Sequence, residues 1–328
     1  MSGSGLPYRL RPRKHVDREL FSEFVACLIS GRDPTKYVYA SMGGQHLADH
    51  RSIYRRSGLK ALYSFDAEGN VVGRQRFNRP FNSVVCEQHY SGELPGKIDA
   101  ILSRFNAENL IVWLDYTDPL TRFAQLGEVE SLSSRFDAGD VLRVTFCADI
   151  TRVEKLKSQL PKAERTAEEE RAAVLKLHLG EYFPNSIQSV LPAEVPGAFS
   201  MCVKRAIEKG LAAGSRKLVP LPVLNTSYID STAMCVVTVL FQDKDQTVKV
   251  PTGWGYAPAG WADFMLIDIP DITPSEKAIF DQLMHQDLEV LHETLGFRLD
   301  DSDERAKVLL TNYRKFHRYY PTFESIAS

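Results

Sequence analysis

No apolar run in this sequence is long enough to cross a bilayer. The longest, such as Met234 to Phe241, are strand-sized against the roughly 20 residues that a spanning helix needs. Paired cysteines are missing too: Cys27, Cys86, Cys147, Cys202 and Cys235 are odd in number, far apart and without CxxC spacing, which excludes a disulfide framework and a zinc knuckle. They read as buried apolar thiols. No charge of one sign dominates, with 40 basic against 42 acidic side chains and a net charge of -2, so no global field draws the chain to phosphate backbones. Nucleic acid is left only a local patch. There is no internal repeat, no low-complexity tract, no GxxxxGK[ST] loop, no GxSxG elbow and no HExxH, which sets aside P-loop ATPases, serine hydrolases of the elbow type and zincins.

What is present is ordinary globular composition, 44% hydrophobic and 25% charged, in 328 residues. That length suits one large α/β domain with additions, or two modest ones. The opening Met1–Gly5 reads as a flexible cloning remnant, and the basic stretch Tyr8 to Lys14 has no signal-type apolar core after it, so a cytoplasmic location is expected.

The first half alternates short apolar runs with amphipathic segments, the pattern that forces crossover connections and a mostly parallel sheet. Five strands are predicted: Tyr37–Ala40, Ala61–Phe65, Ser83–Cys86, Leu110–Leu114 and Val141–Phe146. Ile98, Ile101, Leu102 and Phe105 share one helical face, and Phe123, Leu126 and Val129 mark the next crossover. Leu20, Phe21, Phe24, Val25 and Leu28 predict a helix packed on the sheet before the first strand. Helical patterns at Ala172–Tyr182 and Phe199–Leu211 follow a charged stretch, and strand-like runs return at Leu218–Leu224 and Ala233–Phe241, separated by Asn225, Ser227, Asp230 and Ser231. The fold class is therefore α/β: a Rossmann-like, mostly parallel sheet of about seven strands. The expected division is a cofactor-binding core with its N-terminal helix over 1–152, a helical insertion over 153–214, the last strands of the same sheet over 215–262 and a helical C-terminal region over 263–328.

The first strand runs into Ser41-Met42-Gly43-Gly44 and then a helical stretch, Gln45 to Arg56. Glycines there let backbone approach a ligand, and a following helix N-terminus offers amide donors to it. A pair of glycines is not GxGxxG, so a plain tight turn remains open. Position adds weight: Gly43, Asp66, Glu87 and Asp115 each fall at the carboxyl end of a successive strand, where open α/β sheets bind ligands. Asp66 lies 23 positions after Gly43, near the spacing at which a carboxylate meets a ribose. Glu87, with Gln88, suits an adenine edge or a solvated loop. Asp115-Tyr116-Thr117-Asp118-Pro119 sits where reacting groups gather. A cap by Thr117 or Asp118 with Pro119 at the first helical position explains part of it, but not the carboxylate directly after five apolar residues.

The set Gly43-Gly44, Asp49-His50-Arg51, Asp66, Arg74-Gln75-Arg76-Phe77-Asn78-Arg79-Pro80 and Trp113-Leu114-Asp115-Tyr116-Thr117 resembles a bacterial O-methyltransferase family, well over Tyr37 to Phe146 and loosely beyond. The resemblance implies a Rossmann-like methyltransferase sheet and S-adenosylmethionine as cofactor near Gly43 and Asp66. It implies no particular acceptor. Methyltransferases acting on base amino groups generally carry two prolines in the turn after the fourth strand, which Asp115-Tyr116-Thr117 lacks.

The site expected on these grounds has Gly43, Gly44, Asp66, Glu87 and Asp115 at the cofactor. Asp115 and His50 orient or deprotonate the acceptor, and Arg74, Gln75, Asn78 and Tyr116 bind it. No metal is expected, since His46 and His50, one turn apart, read better as a polar lining or a helix-surface network. The arginine cluster is equally readable as a charged helix face. In the tail, Asn312 to Tyr320 interleaves basic and aromatic residues, which stack on bases in some proteins and dock on the core in more. Two other functions stay open. One is an accessory or binding protein of this fold, meeting a partner or a second copy through the insertion or the tail; the other is an NAD(P)-dependent oxidoreductase.

Overall fold

The computed structural model describes residues 11–245 and 249–321. In chain order its helices and strands are α1 (Pro12–Ile29), β1 (Tyr37–Ser41), α2 (Ala48–Ser57), β2 (Leu62–Asp66), α3 (Gly69–Asn78), β3 (Val85–Gln88), α4 (Leu94–Phe105), β4 (Asn109–Asp115), α5 (Arg122–Ser133), β5 (Val141–Cys147), α6 (Ala167–Leu179), α7 (Val195–Ala213), β6 (Leu218–Ile229), β7 (Ala233–Asp243), β8 (Met265–Leu266), α8 (Pro274–Gln282), α9 (Leu288–Leu295) and α10 (Asp303–Phe316).

The strands form one eight-stranded sheet in the order β3-β2-β1-β4-β5-β7-β6-β8. The five strands of the first half are parallel to one another. β7 runs antiparallel between β5 and β6, and the short β8 is parallel to β6. The near-continuous apolar strands are thereby explained, because both faces are covered. Val38, Ala40, Leu110, Val112 and Leu114 face the side packed by α4, α5, α6 and α7, whereas Tyr37, Tyr39, Ile111 and Trp113 face α1 and the C-terminal helices. The strand order reverses between β1 and β4, and the crevice outside their carboxyl ends is where a ligand of this architecture sits.

Helix boundaries follow local chemistry. α2 ends on Gly58 at φ +70, and α4 on Asn106 at φ +51. α6 and α8 each begin with a capping box, Thr166 with Glu169 and Thr273 with Glu276.

Three sequence expectations need correction. The helix after the glycines starts at Ala48 rather than Gln45, because Gly43, Gly44 and Leu47 all adopt positive φ and spend the intervening residues on turns. Neither Thr117 nor Asp118 caps α5, and Pro119 lies outside it. The helix begins at Arg122 behind Thr121, while the Asp118 carboxylate accepts from Leu120 N at 2.9 Å. Asn225 to Ser227 do not connect two strands: β6 continues to Ile229 and the turn follows at Ser231, φ +152. Their polarity is absorbed internally, Asn225 donating to Trp261 O at 3.0 Å and Thr226 to Asp17. The expected sheet of about seven strands is present, with the two-residue β8 as an eighth too short to leave a pattern.

The tail docks. Tyr313, Phe316, Tyr319 and Tyr320 are buried on the α1 side of the sheet, and the Tyr320 hydroxyl donates to Pro270 O at 2.9 Å. No helix among the described residues is long and apolar enough to cross a membrane.

Candidate functional site

Between β1 and β4 the chain closes its crevice tightly. Lys14, Arg18, Ser41, Gly43, Asp49, Trp113 and Asp115 surround a cavity of about 20 Å³, room for about one water molecule. Lys14, in the first turn of α1, reaches across the sheet end and donates from Nζ to Asp115 Oδ2 at 2.7 Å. The other Asp115 oxygen, Oδ1, is buried without a hydrogen-bond partner. A lone buried carboxylate oxygen loses its hydration, a cost that a hydrogen-bond donor in the cavity would recover.

The glycine turn beside it is braced by protein. Gly43 N donates to Ser41 Oγ at 3.0 Å and Gly44 N to Met42 O at 2.6 Å, so neither amide is free for a ligand. A Cβ on Gly43 would stand 2.4 Å from Ser64 Oγ and 2.9 Å from His50 Cε1 at φ +62, which accounts for glycine there. Three residues expected to bind substrate hold the same turn from α3. Gln75 Nε2 donates to Met42 O at 3.0 Å, Asn78 Nδ2 to Gln45 O at 2.9 Å, and Arg74 to the Gln45 side chain.

Asp49 and His50 form the floor. The Asp49 carboxylate accepts from Tyr39 OH at 2.7 Å and from Ser41, and its other oxygen lies 3.1 Å from His50 Nδ1. Burial pushes this carboxyl up, but His50, Ser41 and Tyr39 outweigh burial and hold it well below the usual carboxylate range. His50 is fully buried, with Nε2 3.0 Å from Tyr63 O. A carbonyl and a carboxylate both ask for an N–H, so the ring offers no free nitrogen to take a proton from an acceptor. His50, expected as an acid-base group, is placed as a brace. His46 lies apart from it, 3.0 Å from the Gln45 amide.

At the next strand ends, Asp66 is half-buried. Its Oδ1 accepts from Glu68 N at 2.8 Å, and its Oδ2 has no partner among the described residues. Burial pushes its carboxyl up from the ordinary value, against the Glu68 amide. Glu87 turns toward α4, accepting from Tyr63 OH at 3.0 Å and Arg104 at 3.1 Å. Just beyond it His89 stacks on Phe65, ring centroids 4.7 Å apart. Tyr116 is buried on the α4 and α5 side with its hydroxyl on Glu128 at 2.5 Å, away from the crevice. The strand ends thus bring together Gly43, Asp115 and Lys14, place Asp66 beside them on β2, and leave Tyr116, Glu87 and His50 occupied elsewhere.

The largest omission from the sequence reading is the first turn of α1. Lys14 closes the basic stretch Tyr8 to Lys14, weighed only as a targeting signal, and Asp17 and Arg18 precede the apolar stripe. His15, in the same turn, is pushed down to about 4 by burial and by Arg18, Arg55 and Arg56, with Glu19 opposing. The unfolded chain takes up a proton near pH 6.5 that folded His15 refuses, so its contribution is complete above about pH 6.5 and is lost as the pH falls toward 4. Urea midpoints measured between pH 4 and 7 are expected to fall less steeply in His15→Gln than in the native protein. Parallel slopes would show that His15 carries no such linkage. Asp140, pushed up to about 7 by burial against bonds from Leu110 and Asn109, works with the opposite sign but equally in both proteins.

With the geometry in place, comparison with known proteins gives the following. The family model described as "Putative O-methyltransferase" matches residues 6–328. No curated protein sequence matches. Among solved structures, a LepI variant in complex with SAH and a substrate analogue is similar at 11% identity and TM-score 0.33, over 63% of this chain and 43% of that one. A 16S rRNA (adenine(1408)-N(1))-methyltransferase mutant from Catenulisporales acidiphilia is similar at 14% identity and TM-score 0.35, over 70% and 93%. Human N-acetylserotonin methyltransferase in complex with SAM is similar at 12% identity and TM-score 0.32, over 73% and 61%. The chain thus spans less than half of the LepI chain and under two thirds of the human enzyme.

Proposed function

The chain belongs to this O-methyltransferase family, and from that premise we propose that it transfers a methyl group from S-adenosylmethionine, bound at the carboxyl ends of β1, β2 and β4, to an acceptor oxygen. The observation that carries the proposal is the pairing at the switch point. Lys14 and Asp115 set a cation and a carboxylate side by side, with Asp115 Oδ1 left buried and unpartnered. An α-amino acid end carries the complementary charges, so Lys14 suits its carboxylate and Asp115 its ammonium. Asp66, one carboxylate oxygen free at the end of β2, suits the two hydroxyls of a ribose.

When bound, the cofactor supplies a methyl group activated on a positively charged sulfur. The protein's part is alignment. Gly43 and its braces from α3 fix the turn over which the cofactor lies, and Asp49 with His50 fixes Ser41 beneath it. The donor set fits the cofactor, whereas a cavity of about 20 Å³ is far below the roughly 300 Å³ or more of a ligand pocket. Access therefore requires Lys14 to leave Asp115, which a shift of the first turn of α1 accomplishes. The five free thiols suit the reducing cytoplasm.

The oxidoreductase reading loses ground on topology. A dinucleotide site uses two successive parallel halves, and here the second is interrupted by antiparallel β7 beside β5. Calorimetric titration tests the proposal. S-adenosylmethionine should bind the native protein and NAD(P) should not. Asp66→Ala should weaken that binding by about tenfold to a hundredfold, the worth of charge-assisted hydrogen bonds to two hydroxyls. Equal binding by both proteins would remove Asp66 from the site; no binding by either would sink the reading.

A further inference from the structure

A second depression adjoins the crevice, between α1, α2 and the docked tail. It is an open groove of about 920 Å³, and five of its lining residues are arginines: Arg18, Arg51, Arg55, Arg56 and Arg318. In a chain with slightly more acidic than basic groups, that concentration is local and not compositional.

Carboxylates answer only part of it. Glu19, the acidic lining residue, is already taken by Ser52 and by Arg56 at 3.1 Å, and stands 3.8 Å from Arg55. Arg56 also reaches Glu23, at 3.6 Å. Neither Arg51 nor Arg318 has a carboxylate partner among the described residues: Arg51 donates to Asn78 O, and Arg318 lies 6.0 Å from the Tyr319 ring centre. On α2, Arg51 and Arg55 are one turn apart, a pairing that like-charge repulsion disfavours and that Glu19, 3.8 Å from Arg55, offsets only on the Arg55 side.

The groove also leads somewhere. Arg18 lines both it and the switch-point cavity, so the groove borders the carboxyl ends of β1 and β4. Tyr54 and Tyr319 add ring faces beside the guanidinium groups.

We propose that this groove binds the phosphate of the methyl acceptor, so that the acceptor is a phosphate-bearing molecule whose reacting oxygen lies past Arg18. Several planar forks converging on one groove match the oxygens of phosphate, whose double charge exceeds what a single carboxylate offers. The proposal rests on the methyltransferase reading for the word acceptor, while phosphate binding is measurable without the cofactor.

The test uses the intact chain at low ionic strength. Two probes are titrated separately, inorganic pyrophosphate by calorimetry and a fluorescein-labelled single-stranded 12-nucleotide RNA by anisotropy, against the native protein and against R55Q/R318Q. At least one probe should bind, more weakly as salt rises, and the double variant should lose tenfold or more. Its affinity for S-adenosylmethionine should stay within twofold, since neither arginine touches the crevice. R51Q, a second variant, should weaken the same probe. RNA binding well above pyrophosphate points to a polynucleotide acceptor, and pyrophosphate binding alone to a small phosphorylated one; both support the proposal. Binding of neither probe, equal binding by native and double variant, or displacement by polyglutamate as effective as by pyrophosphate would overturn it. Loss of S-adenosylmethionine binding with retained phosphate binding would instead indict the cofactor reading.

Discussion

Replacing Asp17 by Ala is expected to destabilise the fold by about 3–5 kcal/mol, the cost of leaving a buried charge without its partner. Asp17 and Arg143 are both fully buried, with Arg143 Nη2 donating to Asp17 Oδ2 at 2.5 Å. Thr226 donates to the other Asp17 oxygen, and Arg143 Nη1 donates to Thr238 Oγ1 at 2.6 Å. The guanidinium is also held between the rings of Phe21 and Trp113, 4.6 Å from each. One ion pair thus ties α1 to β5, β6 and β7, and Arg143 is left without a counter-charge once Asp17 is gone. Against a typical total of roughly 5–15 kcal/mol, the loss is a fifth or more of the stability. Arg143→Met should cost a similar amount, but Asp17→Leu with Arg143→Met should cost much less than the sum, because the pair's own net worth is small once both charges are removed together. Urea unfolding of the three variants measures this. Additive effects below about 1 kcal/mol each would mean that the pair is solvated in the folded protein.

Asp115→Asn should weaken S-adenosylmethionine binding about thirtyfold or more, because neutralising one partner of a buried charge pair costs about 2–5 kcal/mol. The change preserves shape, so β4 and its neighbours keep their register and the effect isolates charge. Lys14 loses its counter-ion in the same variant, which makes the first turn of α1 easier to lift. Faster cofactor association alongside the weaker affinity is therefore expected, resolved by stopped-flow measurement. If the variant binds as the native protein does, the carboxylate at the end of β4 has no part in holding the cofactor.

The parallel half of the sheet was legible because burial on both faces leaves unbroken apolar runs, and β4, Asn109–Asp115, is the clearest case. The row of strand ends was legible for the same reason: a charged residue directly after such a run has left the core. What could not be read was anything set by distant partners. Arg74, Gln75 and Asn78 form a polar cluster in the sequence whether they meet a substrate or brace residues 42–45, and only the packing of α3 on the glycine turn decides for the brace. Tyr116 is one residue past Asp115, yet the strand alternation turns it to the opposite face and onto Glu128. Lys14, Asp17 and Arg18 lie ahead of the apolar stripe of α1, so periodicity gave them no role. The arginine groove joins α1 and α2 to Arg318, nearly the full length of the chain apart, and no local pattern foretells that meeting.

The central claim is that a nucleoside-bearing methyl donor lies across the ends of β1, β2 and β4. A crystal structure with bound S-adenosylhomocysteine tests it most directly. The account expects the ribose hydroxyls on Asp66, the amino-acid end between Lys14 and Asp115, and the 2.7 Å contact between those two side chains opened. Clear density for the nucleoside anywhere else, with Lys14 still on Asp115, would contradict it.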